Sequence, residues 1–186
     1  MKKIKLAMIM GMTLASGTVF AADQGHGVVN FKGEIIEAPC SISADSVEQT
    51  VDLGQVTSST LKGGKSSSPV AFSIKLQDCD VSSLAKKTVT ATFTGKAASF
   101  DSTSSLLALS GTASGAGIAI TDDGKKPVKL GMASTPFTFS NASTSDTLQS
   151  ATLQYAAYLQ GAADNTQNPI IAGQFTSVAN FTLAYE

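Results

Sequence analysis

An all-β sandwich is the fold this sequence predicts, and three observations predict it. Nearly every ordered stretch alternates apolar and polar residues with a period of two, as strands with one buried face do. The connecting stretches are dense in Gly, Asn, Asp, Ser and Pro, which supply turn conformations. No stretch carries a sustained apolar stripe at helical spacing.

Taken in order, the chain opens with a basic run holding Lys2, Lys3 and Lys5, followed by an apolar run over residues 6–19. Val19-Phe20-Ala21 places small or aliphatic residues where a signal peptidase reads. The apolar run is too short to span a bilayer and lacks a stop-transfer flank. Residues 1–21 are therefore expected to be a secretory signal, with no membrane insertion once it is cleaved. Cleavage would free Ala22, with an arm over residues 22–33 directly behind it.

In that arm Gly27, Val29, Phe31 and Gly33 share one parity, so in a strand they share one face. From Ile36 onward the pattern moves to the opposite parity, through Ile36, Ala38 and Cys40. A parity change sends side chains to the other face. Two readings fit it. One is an arm followed by a separate first strand, each serving a different core; the other is a single strand bulged near Gly33.

The remaining strands follow from alternation. Val70, Phe72, Ile74 and Leu76 form one, and Val89, Ala91 and Phe93 form another among Thr88, Thr90, Thr92 and Thr94. Short runs follow at Ile118 and Ile120 and at Val128 and Leu130. Leu153, Tyr155, Ala157 and Leu159 continue the pattern, and Phe175, Ala179, Phe181, Leu183 and Tyr185 close it. Turns are expected over residues 58–69, 101–105, 122–127, 132–146 and 164–169. No domain boundary or internal repeat interrupts residues 34–186, which read as one domain.

Composition narrows the function. The chain has 13 basic residues against 14 acidic ones, all of the basic ones lysine, and without Lys2, Lys3 and Lys5 the balance is 10 against 14, or −4. With no arginine there is neither a bidentate phosphate clamp nor a basic stripe, which argues against nucleic acid. Cys40 and Cys79 make an even count in an exported chain, so a disulfide is expected, and their spacing is nothing like a redox Cys-x-x-Cys.

Catalytic chemistry finds little to work with. His26 is the single histidine and lies between two glycines, so no Ser-His-acid or Cys-His set can be assembled. Asp122-Asp123-Gly124 reads as a turn, because it lacks the further spaced oxygen ligands of a calcium cage. Gly63-Gly64-Lys65-Ser66 resembles the end of a phosphate loop, yet Ser59 stands where that loop needs glycine. Asn141-Ala142-Ser143 and Asn180-Phe181-Thr182 match a glycosylation pattern too common to weigh. Neither an enzyme nor a cofactor is expected.

Several features in order then carry a specific resemblance. These are the secretory signal, the arm ending Val-Asn-Phe-Lys-Gly, and Ile-Ile-Glu-Ala-Pro-Cys-Ser-Ile at 35–42. To them are added Cys79, Tyr-Ala-Ala-Tyr-Leu at 155–159, and Gly173 followed by Phe-Thr-Leu-Ala-Tyr-Glu at 181–186. The chain resembles the structural subunits of chaperone–usher fimbriae, above all the major pilins of the type 1 and P-pilus group. The resemblance implies an incomplete immunoglobulin-like sandwich lacking its last strand, with residues 22–33 as a donor-strand arm. It implies as partners identical or related pilin subunits, a periplasmic chaperone and an outer-membrane usher, with export through the periplasm to the cell surface. Gly27, Val29, Phe31 and Gly33 would be the donor face. Gly173, Phe175, Phe181, Leu183 and Tyr185 would form the groove strand that meets the chaperone, whose basic residues would hold the Glu186 carboxylate. A minor or adaptor pilin, or a secreted adhesin-like binding module, are the alternatives. An adhesin with an added N-terminal lectin domain lacks the free arm. The arm is expected to make few contacts with its own sandwich, and the C-terminal strand to show an unpaired edge.

Overall fold

The computed structural model describes residues 27–122, 126–139 and 149–186. The expected signal, His26, the Asp123-Gly124 turn, the Asn141 sequon and the far end of the 132–146 turn lie outside the described residues. The chain divides into two compact units, Met1–Ile35 and Ile36–Glu186.

In the first unit the described residues take no regular secondary structure. Val29 is 73% exposed and Phe31 91%. A Cβ built on Gly27 or Gly33 would meet nothing within 4 Å.

The second unit is a sandwich of antiparallel strands. One sheet runs β1(Ser41–Ile42), β2(Val70–Cys79), β9(Gln149–Gly161), β6(Ala116–Asp122), β4(Leu106–Ala108), with β7(Lys126–Pro127) also on β6. The facing sheet runs β11(Ala179–Tyr185), β3(Thr88–Gly95), β8(Phe137–Thr138). A short ribbon pairs β10(Phe175–Thr176) with β5(Ser110–Gly111). The main core takes Ile74 and Leu76 from β2, Val89, Ala91 and Phe93 from β3, and Leu153 and Tyr155 from β9. These are the inward parities read from the sequence.

Several elements differ from the expectation. The first strand begins at Ser41 rather than near Ile36, which is 50% exposed. The chain bends over residues 38–40, where Pro39 has no N–H to give a ladder, and its carbonyl instead accepts the Asp80 N–H at 2.8 Å. Residues 44–47 and 58–61 each form one helical turn, too short to leave a periodic stripe. Val128 lies just past β7 and outside any strand, yet it is buried and its N–H reaches the Ile120 carbonyl at 2.8 Å. β6 is buried on both faces, because Ala98 and Phe100 fold over Ala119 and make a second small core.

The disulfide joins Cys40 to Cys79 with their Cα atoms 4.0 Å apart. It ties the start of the first sheet strand to the end of β2, and both side chains are buried. Closing a separation of 39 residues stabilises the fold by about 4 kcal/mol in the chain-entropy description. Cys40→Ala with Cys79→Ala is therefore expected to lower the unfolding free energy by about that amount. Denaturant titration of the double variant checks it; an unchanged midpoint would remove the staple from the stability of the fold.

Candidate functional site

The last strand has one partner where an internal strand has two. Glu186 and Thr88 exchange both main-chain hydrogen bonds, at 2.9 and 3.0 Å. In an antiparallel ladder such pairs alternate with pairs that make none. The register of β11 on β3 then gives Asn180, Thr182 and Ala184 the bonds to β3. Ala179, Phe181, Leu183 and Tyr185 aim their N–H and C=O groups the other way, where no strand lies among the described residues. Their side chains are half-buried, whereas those of Asn180, Thr182 and Ala184 are exposed. Seven consecutive residues therefore present an open edge whose inward side chains are incompletely covered.

Below that edge lies an apolar groove of about 670 Å³. One wall is the stretch from Ser177 to Phe181, the other is formed by Gln49, Val51 and Leu53, and Phe72, Ile74, Phe93, Ile118 and Ile120 make the floor. Rings organise the floor: Phe93 stands edge-on to Phe72 at 6.2 Å and to Tyr155 at 5.0 Å, and Phe181 is 6.4 Å away. Beneath them the Ser134 hydroxyl lies 3.2 Å from the Tyr155 phenol and accepts the Ala91 N–H at 3.1 Å. Burial pushes the Tyr155 phenol up, the Ser134 hydrogen bond offsets part of that, and Asp122 adds a smaller push upward. Burial does the same to Tyr185. No cluster of His, Cys, Asp or Glu suited to a metal occurs among the described residues. What the arrangement offers is an apolar seat beneath an open strand edge, the shape an extended chain would fill.

A family model described as fimbrial protein matches residues 29–186. The chain belongs to the fimbrial protein family. The Fimbria A protein of Serratia marcescens is 47% identical over all of this chain and 99% of its own length. The Major MR/P fimbria protein of Proteus mirabilis is 42% identical over the full length of both. Among solved structures, the subunit of a chaperone–usher pilus analysed for rod uncoiling superposes with a TM-score of 0.73 at 32% identity, over 88% of this chain and 97% of that one. The P pilus rod subunit PapA gives 0.67 at 29% identity, over 80% and 100%. The chain is thus a chaperone–usher pilin, a structural subunit of a surface fimbria, built on an immunoglobulin-like sandwich.

In this pilin the residues expected on the groove strand fall into two groups. Phe181, Leu183 and Tyr185 lie on the open edge, with Phe181 at the groove and Leu183 and Tyr185 packed on the main core, whereas the backbone of Glu186 is bonded to Thr88. Glu186 also reaches Lys86 through its side chain, at 2.6 Å. Phe175 lies on β10 instead, packed with Leu61, Ala116 and Leu159 in a separate small cluster. The single C-terminal strand expected from alternation is broken at Ser177 and Val178, where the Ser177 hydroxyl donates to the Ala108 carbonyl at 2.9 Å. Gly173 has a packing reason of its own, since a Cβ there would sit 2.4 Å from Thr112 Oγ1 and 2.7 Å from the Ala113 nitrogen. The second wall went unread. Gln49, Val51 and Leu53 share one parity with polar residues between them, a weak period of two in a stretch that forms no strand.

Proposed function

We propose that this pilin polymerises by donor-strand exchange, the arm of one copy filling the groove of the next. The observation that carries the reading is the unpaired edge of β11 above an apolar groove. An extended chain seated there gains main-chain hydrogen bonds along the edge and places alternate side chains in the groove. The arm supplies a matching period, with Val29 and Phe31 as anchors and Gly27 and Gly33 leaving room for close backbone approach. Both anchors are exposed.

Before assembly the same groove would be occupied by a strand of a periplasmic chaperone, whose basic residues would hold the Glu186 carboxylate, and an outer-membrane usher would bring the copies together. That route takes the chain through the periplasm to the cell surface. The full-length likeness to a major fimbrial protein favours the shaft over a minor or adaptor position. The chain acts as a building element and not as an enzyme. Deleting residues 22–33 is expected to leave a chain that is exported and bound by its chaperone but absent from filaments. Electron microscopy of cell surfaces, with mass spectrometry of the sheared fibre, reads this directly. Filaments rich in the truncated chain would overturn the proposal.

A further inference from the structure

We infer that Lys32 of an incoming arm is read by Glu48 and Asp52 on the rim of the acceptor groove, so that charge, and not shape alone, sets the register of insertion. The inference rests on the donor-strand reading and extends it from the anchors to the outer face.

The two walls of the groove differ in charge. On the wall formed by residues 47–53, Val51 and Leu53 are half-buried and the rest are exposed; Glu48, which lines the groove, and Asp52 are its two charges. On the opposite wall the exposed residues of β11 are Asn180, Thr182 and Ala184, all neutral. Lys75, which lines the same hollow as Asp52, is paired with Asp45 at 2.6 Å, and Lys86 is paired with Glu186 at 2.6 Å. Asp52 accepts the Gly54 N–H at 2.8 Å, and neither Asp52 nor Glu48 enters an ion pair among the described residues. One rim therefore carries two uncompensated carboxylates and the other none.

The arm carries the complement. With Gly27, Val29, Phe31 and Gly33 facing inward, the outward set is Val28, Asn30 and Lys32, and Lys32 is the only charge between the outer glycines. Neighbouring strands lie about 4.8 Å apart, which brings such outward side chains within reach of the rim. A slip of one residue is excluded by parity, because it would turn the anchors outward. A slip of two residues keeps the parity, so a groove with a continuous apolar floor resists it less. Such a slip replaces Lys32 at its place on the rim by Asn30 or by Glu34. The first loses the attraction, and the second sets like charges side by side.

The test uses the full-length subunit held in complex with its chaperone, and synthetic peptides of residues 22–34 as donors. Insertion is followed by native mass spectrometry at low and high salt. At low salt the parent peptide is expected to insert about three- to tenfold faster than its Lys32→Glu counterpart, a gap that closes as salt screens it. An acceptor carrying Glu48→Lys and Asp52→Lys should reverse the order, and one carrying Glu48→Gln and Asp52→Asn should abolish the preference. Equal rates for the two peptides on the parent acceptor, or a preference that survives in the reversed acceptor, would overturn the inference and leave donor-strand exchange standing. Failure of both peptides to insert into any acceptor would overturn the donor-strand reading and this inference with it.

Discussion

Phe31→Asp is expected to abolish filament assembly while leaving the subunit folded and bound to its chaperone. Phe31 is 91% exposed in the single chain, so the substitution removes nothing from its own packed core. In the groove of the next copy it loses the burial of an aromatic ring, about 1.5–3 kcal/mol, and strands a carboxylate among apolar groups. The two losses together come to on the order of 5 kcal/mol, more than a thousandfold in the equilibrium for insertion. Phe31→Leu should retain most of the assembly, because volume and polarity change little. Asn30→Asp, on the outward parity, should be tolerated far better than the change at Phe31. Filament yields measured by shearing and sedimentation decide the matter. Normal yields from Phe31→Asp would remove Phe31 as an anchor, and equal loss from Asn30→Asp would remove the assignment of faces.

That contrast of faces is an expectation from parity, a one-dimensional property that a strand converts directly into sidedness. The same rule placed Ile74, Leu153 and Phe181 inward and located every long strand of the sandwich. Parity failed where burial comes from both sides. Ala119 is buried under a loop whose return over β6 no local pattern announces. It failed again at the C-terminus, where half-buried and exposed residues alternate without a break over 175–185 although the chain passes from the β5 ribbon to the β3 sheet. Side chains at Phe175 and Phe181 therefore share a parity and serve different clusters. The groove was half legible. β11 could be read as a strand, and its unpaired edge followed from the resemblance and not from alternation, whereas the wall at Gln49, Val51 and Leu53 is a stretch without regular structure that only the folded chain brings opposite β11. Gly173 shows how a likeness and a cause can differ: its place in a family pattern was readable, while the approach of Thr112 that requires a glycine was not.

The assembled fibre is expected to be far more stable than the free subunit, and an arm peptide added in trans should recover much of the difference. The free chain holds an apolar groove of about 670 Å³ under an edge whose outward main-chain groups have no partner strand among the described residues. Such an edge is also a template for unwanted pairing, so chain released from its chaperone should aggregate at concentrations where the fibre stays soluble. Seating Val29 and Phe31 contributes about 1.5–3 kcal/mol each, and each new main-chain hydrogen bond along β11 adds about 0.5–1.5 kcal/mol before the cost of ordering the arm. A net gain on the order of 5 kcal/mol would move the guanidinium midpoint by more than about 1 M. The stabilisation also depends on peptide concentration, because a ligand that binds only the folded chain adds RT ln(1 + [L]/Kd). A peptide of residues 22–34 should therefore raise the midpoint in proportion to the logarithm of its concentration. The same peptide with Phe31→Asp should not. If the chaperone-free chain stays monomeric and unfolds at the same denaturant concentration as the fibre, the groove is already satisfied within one chain and donor-strand exchange has no free energy to draw on.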